Sequence, residues 1–159
     1  MLTQAQRQEN INLIEQLPAQ LEFLVAGLKD DQLDTPYGEG KWTIRQVVHH
    51  LADSHLVGFT RMRLVLTENE PKLVTYEQEL WAKLPDSSAL PIAYSLNLLY
   101  GLHTRWTFLL KNLREQDWTR KGNHPEWGLL TLDDMLTTYA THGQRHMHSV
   151  RNLRDSKGW

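Results

Sequence analysis

The sequence predicts an all-α domain, a four-helix bundle with long connections, on three observations. Four segments repeat apolar residues at spacings of three and four. Three of them open on a threonine followed three residues later by Gln or Asp, the form of a capping box. No segment alternates apolar and polar residues as a half-buried strand would.

The first helix follows from Thr3 and Gln6 and the stripe Ile11, Ile14, Leu17, Leu21, Leu24, Val25, Leu28. Pro18 lies inside the stripe and lacks an amide proton, so a kink or break is expected there. Residues 29–40 mix charge, proline and glycine and read as a connection with one short helical turn. Thr43 and Gln46 cap the second helix, whose apolar positions run to about Glu68 before Asn69, Glu70 and Pro71 stop it. A long crossover follows, with a brief helix over Tyr76 to Leu84. The third helix starts at Ser87 or Ser88, carries Leu96, Leu99, His103, Trp106 and Leu110 on one face, and ends before Asp117. Gly122, Pro125 and Gly128 make Trp118 to Leu130 a loop or small hairpin, and Thr131 with Asp134 caps a fourth helix that ends near Asp155.

A chain of 159 residues buries a core without staples, and it reads as one domain spanning 1–159. Its 17 basic and 19 acidic residues, net charge -2, lack the basic excess that a nucleic-acid partner requires. Cysteine is absent, which removes disulfides, thiolate ligands and a cysteine nucleophile. There is no apolar signal core and no membrane-length apolar run, so a soluble, unexported, cytoplasmic protein without a membrane partner is expected.

The eight histidines are clustered, three within 49–55 and three within 142–148. His142 and His146 stand four apart on one helix, about 40° round the axis and about 6 Å along it, so both imidazoles can reach one ion. The glutamate that follows the first histidine in zinc proteases is replaced by Gly143, so this is not that motif. His148 falls on the opposite side of the helix. On the second helix, periodicity puts His55 nearest the middle of the apolar stripe, His50 toward its margin and His49 toward solvent. The pattern alone favours His55 as a third ligand and His50 second, although a buried His55 could equally be a hydrogen-bonded core residue.

The run from Trp42 through Val48-His49-His50-Leu51-Ala52-Asp53-Ser54-His55, followed late in the chain by His142-x-x-x-His146, resembles the DinB superfamily, and within it the YfiT-type metal-dependent hydrolases. The resemblance extends to Leu33-Asp34-Thr35-Pro36-Tyr37 and Leu102-His103-Thr104-Arg105-Trp106. It implies a four-helix bundle, a homodimer, and a divalent metal, zinc first and nickel as the alternative, held by His50, His142 and His146. Three neutral imidazoles leave such an ion an open position, which suits hydrolysis of a small molecule by activated water. Relatives in the superfamily also imply a bacillithiol-type S-transferase with a low-molecular-weight thiol as cosubstrate. A metal-binding stress protein without turnover is the third reading. Asp53, one turn from His50, is the candidate general base or hydrogen-bond acceptor for a ligand imidazole. His103 either contacts substrate or satisfies a buried polar partner. Arg61 either binds an anionic substrate or is a surface arginine. The tryptophans read as core and loop anchors, one or two of them walling a pocket.

Overall fold

A computed structural model describes residues 1–159. Its elements are α1 (Gln4–Val25), α2 (Asp30–Leu33), α3 (Ile44–Thr67), α4 (Gln78–Trp81), α5 (Pro85–Ser88), α6 (Ala93–Lys111), a 3₁₀ turn (Glu115–Thr119), β1 (Lys121–His124), β2 (Gly128–Thr131) and α7 (Leu132–Lys157). Helices α1, α3, α6 and α7 form the bundle. Both α1 and α3 pack against α6 and α7, so α1 and α3 occupy opposite corners and the connection between them crosses the bundle diagonally.

The three capping boxes form as the sequence requires. Thr3, Thr43 and Thr131 accept from the amides of Gln6, Gln46 and Asp134, while each partner side chain accepts from the threonine amide. Pro18, however, neither kinks nor breaks α1, which is helical from Gln4 to Val25. The carbonyl of Ile14, deprived of its amide donor by the proline, accepts a hydrogen bond from His103 Nδ1 at 2.5 Å. The third long helix starts later than expected. Ser87 and Ser88 close the separate helix α5, and Pro91 forces a fresh start at Ala93. The hairpin is real: β1 and β2 pair antiparallel, with Gly122 opposite Leu130.

The core has two parts. One gathers Ile11, Ile14, Met62, Trp106 and Leu136, the other Leu21, Val48, Leu51, Leu99 and Val150. Ion pairs of two buried arginines fasten the periphery. Arg7 on α1 pairs with Asp133 on α7 (2.7 Å) and Glu115 (2.7 Å), and Arg45 on α3 pairs with Asp34 (2.6 Å) and Asp30 (2.8 Å), holding the α1–α3 connection against the bundle. No helix is long and apolar enough to cross a membrane.

Candidate metal centre

The facing sides of α3 and α7 bring His50, His142 and His146 together, one ligand atom from each lying within 4.8 Å of the others. His142 Nε2 is 3.2 Å from His50 Nε2 and 3.2 Å from His146 Nε2. A tetrahedral ion with bonds of about 2.0–2.1 Å would set its nitrogens about 3.3 Å apart, so the observed spacing fits one. Trp42, directly before the Thr43 cap, forms a wall: its ring centre lies 4.5 Å from that of His50, and it stacks on His146 at 6.1 Å.

Burial keeps these imidazoles neutral, the form that binds a cation. His50 is pushed down to about 2, by burial first and then by the neighbouring His142 and His146. His142 falls to about 3 through burial, then His146 and Arg145, and His146 to about 4 through burial, then Arg145. No carboxylate stands among the causes.

His55 is fully buried and belongs to a different structure. His103 Nδ1 must carry its proton, since a carbonyl can only accept, so His103 Nε2 is a lone pair and accepts from His55 Nδ1 at 3.0 Å. That fixes His55 Nε2 as an acceptor as well, sealed and without a partner. The other sealed imidazole nitrogen without a partner is His142 Nδ1, on a ring whose centre is 5.7 Å from that of His55. A metal at His142 Nε2 would leave the proton on that Nδ1. The hydrogen bonds therefore run in one direction, from His55 on α3 to His103 on α6 to the Ile14 carbonyl on α1, with the His142 ring of α7 beside the His55 end.

Several sequence expectations are corrected. His49 is not toward solvent: it is 4% exposed, with Nε2 2.9 Å from the Leu90 carbonyl and Nδ1 2.8 Å from Ser95 Oγ, because the segment between α5 and α6 folds over it. Arg61 is not a surface residue but 8% exposed, beneath the crossover at Val74. Asp53 makes no hydrogen bond to a ligand imidazole. It is partly buried, and its carboxyl is raised to about 6 by burial and then by Asp86. His103 faces His55 and Ile14, so its polar partners are structural. His148 is exposed as expected and accepts from Asn152.

The triad opens on a cleft of two lobes that share Gln78, Glu79, Trp127, Thr138 and His142. The outer lobe, about 430 Å³, carries Tyr37, Trp42, Arg145 and His146; the inner, about 300 Å³, carries Ser54, Arg61, Tyr76, His124 and Tyr139. Trp42 and Trp127 are the tryptophans that wall it, while Trp106 and Trp118 are core. His124 and Tyr139 were invisible to sequence patterning, since one lies in an irregular glycine- and proline-rich stretch and the other reads as helix core.

Such an arrangement, three imidazoles on two helices of a four-helix bundle beside an open cleft, defines a helical-bundle protein whose histidine triad can hold a metal ion. The particular family follows from likeness along the chain: a model of the DinB superfamily matches residues 6–150, and the protein belongs to that superfamily. It is 40% identical over 159 residues (99% of this chain, 89% of the relative) to the Bacillus subtilis protein named "Putative metal-dependent hydrolase YfiT". It is 43% identical over 151 residues (95% and 87%) to the "Putative metal-dependent hydrolase" of Oceanobacillus iheyensis. The solved structure of YfiT from Bacillus subtilis, described as "a probable metal-dependent hydrolase with an unusual four-helix bundle topology", superposes with a TM-score of 0.97 at 40% identity, covering 100% of this chain and 91% of that one.

Proposed function

We propose that the protein is a metal-dependent hydrolase of small molecules, with His50, His142 and His146 as the ligands of one divalent ion, zinc first and nickel second. The observation that carries this reading is a pair of 3.2 Å Nε2 separations that share His142, one to His146 four residues on in α7 and one across to His50 on α3, 92 residues away in sequence. A divalent ion bound there supplies Lewis acidity, enough to bring the pKa of water toward 7 and to polarise a carbonyl. The neutral imidazoles leave the ion its full charge, and Trp42 limits water on one side. In the reaction, the oxygen of water adds to an acyl carbon, the bond from that carbon to the leaving oxygen or nitrogen breaks, and a proton from water ends on the leaving group. Asp53, with its carboxyl near 6, has the proton affinity of a general base at neutral pH.

The test is elemental analysis of protein purified without nickel affinity chromatography. Wild type should hold about one equivalent of metal, and His50→Ala, His142→Ala and His146→Ala much less; full occupancy in all three variants refutes the ligand assignment. Cleavage of model esters or amides by the loaded protein without added thiol supports hydrolysis. Conjugation of an electrophile only with bacillithiol present transfers the reading to S-transfer, in which this cysteine-free chain takes the thiol as cosubstrate.

A further inference from the structure

Three arginines of the chain are buried, and two of them are answered by carboxylates. Arg7 meets Asp133 and Glu115, and Arg45 meets Asp34 and Asp30. Arg61 is the exception. It takes part in none of the ion pairs of the molecule, and its bonds go to two neutral acceptors: Nε donates to the Val74 carbonyl at 2.7 Å and Nη1 to Tyr139 Oη at 2.9 Å. A guanidinium has five N–H donors, so three are left. Its Nη2 has no protein partner and is not among the sealed atoms, so it faces the inner lobe that Arg61 lines. A buried cation without a counter-charge is costly, and the cost is removed when an anion enters.

Two further donors face the same space. Tyr139 Oη accepts from Arg61, which leaves its own proton free to donate. His124 accepts the Glu126 amide on Nδ1 at 3.2 Å, which puts the proton on Nε2, and that nitrogen has no protein partner. Trp127 stacks on the His124 ring at 4.1 Å and holds it in place.

We propose that Arg61, Tyr139 and His124 form an oxyanion-binding subsite in the inner lobe, which receives a singly charged group, a carboxylate foremost, on a substrate whose scissile bond lies at the histidine triad. The proposal deepens the hydrolase reading and rests on it for the second half: His142 lines the same lobe as Arg61. The choice of a monoanion follows from the rim, where Glu77, Glu79 and Glu126 are exposed and oppose a dianionic phosphate. Three donors of fixed position, one of them a planar fork, match the two oxygens of a carboxylate.

The subsite is tested first without metal. The Arg61 Nε–H is held by a carbonyl, so its resonance in a ¹⁵N-edited spectrum is the probe during titration with acetate and, separately, with inorganic phosphate. Acetate should shift it saturably and more tightly than phosphate dianion. Arg61→Gln should weaken acetate binding about tenfold or more, and Tyr139→Phe and His124→Gln less, since each removes one neutral donor. His50→Ala should leave it unchanged. An Arg61 signal indifferent to acetate, or acetate binding unaltered in a natively folded Arg61→Gln, overturns the subsite. If Arg61→Gln fails to fold, the pair Tyr139→Phe and His124→Gln decides by the same titration. With metal, 4-nitrophenyl hemisuccinate should be cleaved with higher kcat/KM than 4-nitrophenyl acetate, and Tyr139→Phe with His124→Gln should erase the preference. Loss of both esters as substrates refutes hydrolysis alone and leaves the acetate titration to judge the subsite.

Discussion

Replacing Gly58 by alanine should destabilise the protein although alanine is the better helix former. Gly58 lies within α3, where Gly→Ala ordinarily contributes about 1 kcal/mol. A Cβ at this position would stand 2.4 Å from Tyr139 Cζ, 2.5 Å from Cε1 and 2.8 Å from Cε2. Carbon atoms rest about 3.5–4.0 Å apart, so the ring must retreat by roughly 1 Å. It has little room to do so, being 6% exposed and packed edge-on to Trp106 at 5.4 Å and His55 at 5.7 Å, with its hydroxyl on Arg61. Overpacking of this kind costs about 1–3 kcal/mol, and three ring atoms inside 3 Å put it toward the upper end. The helix gain offsets about 1, leaving a net loss of about 2 kcal/mol, or about 4–8 °C in Tm for a chain of this size. Gly101, on the exposed face of α6 with nothing within 4 Å of its Cβ position, is the internal control. Gly101→Ala should stabilise by about 0.5–1 kcal/mol. Urea unfolding of both variants, with unchanged slope, checks the difference, and a Gly58→Ala protein as stable as wild type refutes the packing argument.

Removal of Arg7 by Arg7→Met strands the buried Asp133 carboxylate and should cost about 3–5 kcal/mol in urea unfolding, partly recovered by adding Asp133→Asn. His103 is lowered to about 4 by burial, against which its bond to the Ile14 carbonyl pulls upward. The unfolded chain binds this proton from about pH 6.5 downward and the folded one does not until about 4, so the stability present above 6.5 is lost as pH falls through that window. The slope from this residue is at most about 1.4 kcal/mol per pH unit, and metal-free wild type with equal stability at pH 7 and pH 5 contradicts it. His55→Phe keeps all three ligand candidates but removes the imidazole that lies beside His142, 5.7 Å away between ring centres. Chelator competition should show metal bound about 10–100-fold more weakly, and unchanged affinity would mean that His142 needs no such backing.

How far the sequence reached differs by feature. The starts of α1, α3 and α7 were legible because capping boxes are local, three residues wide, and leave little for tertiary packing to alter, whereas α6 has no side-chain cap and starts later than expected. The candidate ligand on α3 was not legible from periodicity. That helix is buried on several sides, by α6, α7 and the α5 segment, so a single apolar stripe does not rank His49, His50 and His55. His55 sits deepest because it faces α6, where His103 accepts its proton, while the resemblance to the DinB superfamily singled out His50, which faces α7. Pro18 misled for a related reason: the lost backbone bond is replaced by a side chain 89 positions away in sequence, a compensation no local window contains. Arg61 was misjudged because what covers it is the crossover, whose path depends on the hairpin through Leu73 and Asn123.

The polar series running from Ile14 through His103 to His55 ties three corners of the bundle together, and each imidazole in it can point only one way once the carbonyl at its far end is committed. An apolar interior would tolerate a helix sliding by a turn, since one leucine replaces another. Here a slipped helix would leave an imidazole proton facing a proton or a lone pair facing a lone pair. The proline in α1 thus acts as a reference mark: by exposing one carbonyl it fixes the axial positions of α6 and α3 against α1, and with α3 the height at which His50 meets α7.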